Sequence, residues 1–182
     1  MQSSPGTVTP LEDIAAWQSQ RSGQDPRARL TPDLVALAQN GATILLGAQL
    51  DGRPTVGFGV CCRALPDGYL RIILSRSASA GVLAAIAAGG RLAATFTGAP
   101  SHRAFQVKTS RCRVGAATQD DRPEIERQAN LFYDGLSEIG FTRDLAAGWL
   151  ALDMADLASV ELLPERVFTQ TPGPGAGAEL PR

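Results

Sequence analysis

Residues 69–108 read YLRIILSRSASAGVLAAIAAGGRLAATFTGAPSHRAFQVK. Alternation and chain breakers divide this stretch into strand, polar turn, short helix, strand, loop and strand. Tyr69–Leu74 is the first strand. The turn that follows, Ser75-Arg76-Ser77-Ala78-Ser79, sets hydroxyls, a guanidinium and backbone N–H groups just before a helix. A phosphate can sit in such a place. Ser79 is the expected cap of a helix over 79–88, and Val82, Leu83 and Ile86 are its apolar stripe. Gly89-Gly90 ends it. Residues 91–98 form the next strand, and 102–118 a long fifth one. In that strand Phe105 and Val107 alternate with Gln106 and Lys108, so the last two share a face.

Working outward toward the N-terminus, residues 42–50 (ATILLGAQL) are apolar on both faces over their first half, as in a strand inside a closed barrel. Asp51-Gly52 is a hairpin turn of the favoured kind. Pro54–Arg63 is the return strand, and Pro66-Asp67-Gly68 marks a second turn. Three strands joined by two tight turns make an antiparallel meander, not a parallel nucleotide-binding sheet. Ahead of it, Thr31-Pro32-Asp33 starts a helix with a capping hydroxyl and proline at the first position. Toward the C-terminus, Ile125, Ala129, Phe132, Leu136 and Ile139 give an amphipathic helix from Asp120 to about Glu138. A short helix over 143–150 and a last strand over 155–168 follow. The chain divides into an N-terminal lead and helix (1–29, the helix starting at Pro10), a barrel domain (30–170) and a flexible Pro/Gly-rich tail (171–182). Such strands close most simply into a small barrel, which removes exposed edges.

Composition narrows the function. The 182 residues carry a net charge of -1 with only 19% charged positions, which excludes a bulk nucleic-acid binder. Three cysteines without framework spacing do not make a disulfide scaffold. Cys61 and Cys62 are adjacent in a strand and point to opposite faces, so they do not share a metal. With His102 the one histidine, no metal site is expected. The N-terminus has neither a basic start nor an apolar run, and no segment is long and apolar enough to span a membrane. A cytoplasmic protein is expected.

The strand–turn–helix–strand unit Tyr69–Phe96 and the segment Ser101-His102-Arg103-Ala104-Phe105-Gln106-Val107-Lys108 resemble the pyridoxamine 5'-phosphate oxidase-like superfamily of FMN-binding split barrels. The ending QTPGPGAG, residues 170–177, is similar to bacterial members of that superfamily. The resemblance spans roughly residues 30–170. It implies a mainly β fold, a split β-barrel of about six antiparallel strands with crossover and flanking helices. It also implies a homodimer with FMN between the subunits. The phosphate would meet Ser75, Arg76 and Ser77, Gln106 would reach the flavin ring, and Lys108, in a basic run along its strand, would meet the cofactor phosphate or a substrate anion. The residue types suit those roles: Arg76 can pair bidentately with a phosphate, and an amide serves an isoalloxazine edge.

The sequence also departs from that pattern. The oxidases carry a lysine at the start of the short helix, where this chain has Ala80-Gly81-Val82. Their pyridoxal phosphate-binding residues have no match here, so oxidation of pyridoxamine phosphate is not expected. The expected function is a flavin-dependent oxidoreductase of a small molecule, with no catalytic acid or base singled out. The alternatives are a binding protein of the same fold holding haem, with His102 a candidate ligand, or a deazaflavin, and a cofactor-free dimer. The absent lysine favours the binding protein.

Overall fold

The computed structural model describes residues 28–150 and 153–181. The lead and helix expected before residue 28 lie outside the described residues. Helix α1 (Pro32–Gln39) precedes a meander of β1 (Thr43–Leu50), β2 (Arg53–Ala64) and β3 (Leu70–Ser75). Helix α2 (Ala80–Ala87) leads into β4 (Leu92–Thr97), β5 (Ala104–Thr109) and β6 (Cys112–Ala116). Helices α3 (Arg122–Glu138) and α4 (Arg143–Trp149) follow, then β7 (Leu157–Leu162) and β8 (Arg166–Thr169). Every pairing is antiparallel, in the order β6-β7-β3-β2-β1-β4-β5-β8.

The turn chemistry read from the sequence sets the meander. Asp51 and Gly52 both take positive φ, 49° and 75°, which the two-residue hairpin requires. The fifth strand is different from the expectation. It breaks at Ser110-Arg111 into β5 and β6, and the last strand breaks likewise into β7 and β8. The breaks face each other: Cys112 pairs with Leu162 and Lys108 with Arg166, so one register runs through both halves. Glu165, 2% exposed, holds the bend, its carboxylate accepting from the Ser110 backbone N–H at 2.7 Å. The eight elements are therefore six strand runs, two of them bent. The bent pair joins the two ends of the sheet order, and the sheet curls into a split barrel.

Inside lie Ile44, Leu46, Ile72, Leu74, Ala94, Phe96, Phe105, Val107 and Val160, closed at one end by Val82, Leu83 and Ile86 of α2. Phe96 and Phe105 stack with ring centroids 4.8 Å apart. The chain shifts register between Gly59 and Cys61, and the two cysteines then face apart. Cys62 joins the barrel core, whereas Cys61 packs outward with Ile73, Ile125 and Leu157 beneath α3. Two expected caps are absent. Neither Thr31 nor Ser79 makes a side-chain cap bond. Ser79 has φ -113° and ψ 19°, outside the extended region that brings a cap oxygen over the first helical N–H groups.

Polar clamps hold α3 to the outside of the barrel. Gln128, buried on a helix whose apolar stripe does not include it, accepts from Cys62 N at 3.0 Å and donates to Cys62 O at 2.6 Å. Arg71 on β3 donates to both oxygens of Asp121, at 2.9 and 2.7 Å, and to Glu161 at 2.8 Å. Asp121 is fully buried. Burial pushes its carboxyl up, but the Arg71 guanidinium and the Thr118 N–H outweigh this and hold it at about 2. The Pro/Gly-rich tail has too few apolar residues to fold alone; it comes back along β8 instead. Thr169 N donates to Ala178 O at 2.9 Å, Leu180 N to Val167 O at 2.8 Å, and Arg166 pairs with Glu179.

Candidate functional site

On β1 the expectation of burial on both faces fails in an informative way. Leu45 faces outward and is 38% exposed, beside Val56 (50%) and Phe58 (51%) on β2. Register places these residues in two cross-strand rows. Gln106 pairs with Thr95, Thr95 with Leu45, and Leu45 with Phe58. Gly59 faces Leu74, which puts Phe58 beside Ser75 one step on. The second row runs Lys108, Ala93, Gly47, Val56. In strands, directly opposed residues share a face, so all these side chains stand on the outside of the barrel.

The two rows make a shallow apolar trough. Its floor is Gly47 and Ala93, and a Cβ built on Gly47 would meet nothing within 4 Å. Leu45, Val56 and Phe58 form its apolar part. Thr95 and Gln106 bring polar groups, the Gln106 amide donating to Thr95 Oγ1 at 2.9 Å. Lys108 lies with its Nζ 4.5 Å from the centroid of Phe168. At the β3 end a cavity of about 220 Å³ opens between β2, the Ser75–Ser79 turn and α3, bordered by Phe58, Val60, Ser75, Ser79, Gln128 and Phe132. Ser79 Oγ, on a residue 1% exposed, makes no hydrogen bond among the described residues. A Cβ on Gly57 would stand 2.8 Å from that oxygen, so only glycine leaves it room. A larger cavity of about 440 Å³, by the β2–β3 turn, is lined by none of the predicted site residues.

The five predicted residues therefore divide between the two ends of one outward face. Ser75, Arg76 and Ser77 stand at the β3 end, Gln106 and Lys108 at the β5 end. Four strand spacings of about 4.8 Å separate the ends, roughly 19 Å along the sheet. His102 lies exposed in the turn before β5, at φ 52°.

The turn holds a residue that the sequence reading missed. The Asp156 carboxylate accepts from Ser75 Oγ at 2.6 Å, from Ser77 Oγ at 2.7 Å and from Ser77 N at 3.0 Å. Arg76 N also donates to the Asp156 carbonyl at 2.6 Å. The hydroxyls hold the Asp156 carboxyl below the usual carboxylate range. The Arg76 guanidinium reaches Leu157 O at 3.4 Å. Only the short Met154–Asp156 helical turn, more than 75 residues downstream, positions this carboxylate. Its sole sequence signal is an acidic residue just ahead of a strand.

Tested against a flavin, face and turn give different answers. The trough suits a planar ring: small residues on its floor, apolar side chains around it, an amide at the edge. The turn does not present its donors to a phosphate, because a carboxylate already takes them. Burial pushes the thiols up, Cys61 to about 12 and Cys112 to about 11, so none is a ready nucleophile. Among the described residues no group of three or more His, Cys, Asp or Glu side chains could hold a metal, and no helix is long and apolar enough to cross a membrane.

No family model matches the sequence, and no curated protein is similar to it. Solved structures are similar in fold. HupZ of Group A Streptococcus shares 14% identity, with 81% of this chain and 99% of that chain covered, at a TM-score of 0.48. A pyridoxamine 5'-phosphate oxidase-related, FMN binding protein from Nostoc punctiforme PCC 73102 shares 15%, covering 76% and 83%, at 0.43. An FAD and heme binding protein from Mycobacterium smegmatis shares 15%, covering 77% and 69%, at 0.43. The likeness is one of fold and assigns neither ligand nor reaction.

Proposed function

We propose that this protein binds a flavin of the FMN class on the outward face of β1, β2, β4 and β5, with a second copy of the chain closing over it. One observation carries the reading: an exposed apolar trough, floored by Gly47 and Ala93, with an amide at one end and a polar turn at the other. The outside of a barrel cannot enclose a ligand by itself, and a second copy supplies the other wall. The ring would lie over Gly47, with Gln106 at its edge, Lys108 beside it and Arg76 at the far end. A flavin held there would supply hydride or electron transfer to a small-molecule substrate, and the chain would supply orientation and exclusion of water. Among the described residues the two rows hold no His, Asp, Glu or Cys side chain, and Lys108 is their titratable group.

A second reading is favoured by the carboxylate in the turn: the same face holding haem, a deazaflavin or another ligand without turnover, or pairing two copies with no cofactor. Spectra of purified protein incubated with FMN and passed through a sizing column separate these. Co-elution of flavin absorbance with a dimer supports the flavin reading. A Soret band on adding haem, with no flavin retained, supports the binding protein. A dimer that retains neither supports the cofactor-free form.

A further inference from the structure

The Asp156 carboxylate is a built-in anion. Three donors of the Ser75–Ser77 turn converge on it within 2.6–3.0 Å, and the main chain beside it is pinned by Arg76 N. A phosphate at this turn would need the same two hydroxyls and the same N–H. It would also stand against a negative charge, and like charges at contact distance repel. The nearby cation, Arg76, faces Asp156 as well as any incoming anion. Of the other groups in the turn, Ala78 N donates to Ser75 Oγ at 3.1 Å, and the hydroxyl without a hydrogen bond, Ser79 Oγ, sits on a residue only 1% exposed.

We propose that Asp156 is a specificity-determining residue that excludes a phosphate from the Ser75–Ser77 turn, so that the ligand of this face is recognised by its ring and not by a phosphate tail. This rests on the flavin-class reading for the identity of the ring, but the exclusion of phosphate stands on the turn alone. Riboflavin and FMN should then bind alike. Removing the carboxylate should free the two hydroxyls and the Ser77 N–H and create a phosphate site.

Two measurements test this separately from the flavin reading. The first follows the Ser77 amide by NMR during titration with inorganic phosphate. The wild-type signal should not move, and Asp156→Ala should show a saturable shift. Asp156→Asn, which keeps an acceptor oxygen and loses the charge, covers the case of an Ala variant that does not fold, and should shift partway. A saturable shift in the wild type, or none in either variant, overturns the proposal. The second compares FMN with riboflavin by fluorescence quenching. The wild-type affinities should agree within about threefold, and Asp156→Ala should favour FMN by tenfold or more. A wild type that prefers FMN tenfold overturns the proposal. If neither flavin binds, the flavin reading has failed, and the phosphate titration alone decides the role of Asp156.

Discussion

Ser75 and Gln106 stand at the two ends of one cross-strand row and face the same side of the sheet, with Phe58, Leu45 and Thr95 between them. They are 31 positions apart in the sequence, and β1 and β2, which lie between them in the sheet, come earlier in the chain. The polar turn and the glutamine strand are thus two rims of one surface, and the apolar side chains between them are its middle.

Phe58 tests whether that surface meets a second copy. Phe58 is 51% exposed in the single chain, so Phe58→Glu should leave each copy folded by circular dichroism, its melting temperature falling only by what a second copy contributes. It should turn a dimer into a monomer in light scattering. A variant that stays dimeric places the interface elsewhere.

The antiparallel meander was legible because its turns are local chemistry: Asp51-Gly52 and Pro66-Asp67-Gly68 need no tertiary context. The core face of β5 was legible from alternation at Phe105 and Val107. The bend at Ser110-Arg111 was not, because the alternation of a strand does not record a bend, and what sets this one is Glu165, 55 residues away. Asp156 was hidden for the same reason, reaching the turn over a separation of 79 to 81 residues. Leu45 misled because an apolar residue on the outside of a barrel looks like core until the register shows which way it points.

The Arg71–Asp121 pair tests what holds α3 to the barrel. Asp121 is fully buried and Arg71 is its closest cation. Arg71→Met leaves that carboxylate with Arg63 as its remaining cation, at 3.3 Å, and should cost about 3 kcal/mol in urea unfolding, the low end for a broken buried pair. The double variant Arg71→Met with Asp121→Leu should recover a large part, because no uncompensated charge is left behind.

The same carboxyl gives a pH dependence. Its folded value of about 2 is depressed from 3.8. Its contribution is therefore complete above pH 4 and is lost as pH falls from 4 through 2, worth about 2 kcal/mol in all. Asp121→Asn should flatten the stability profile over that window. Chemical denaturation at half-unit pH steps checks this, and an unchanged slope in the variant would assign the acid sensitivity to another group.

The thiols should be silent in the native protein. Cys61 and Cys62 are fully buried and burial raises both, Cys61 to about 12. At pH 8 a colorimetric thiol reagent should label neither until denaturant is added, and Cys112 should react more slowly than a free thiol. Fast labelling of Cys61 would show that α3 opens readily from the sheet.

Gly47 tests the face most directly. A side chain there meets open space, so Gly47→Leu should fold and melt like the wild type, yet it fills the floor of the trough. Fluorescence titration of riboflavin into the two proteins is the deciding measurement. The account predicts saturable quenching in the wild type and an affinity at least tenfold weaker in Gly47→Leu. Equal affinity in both proteins would place the ligand somewhere other than this face.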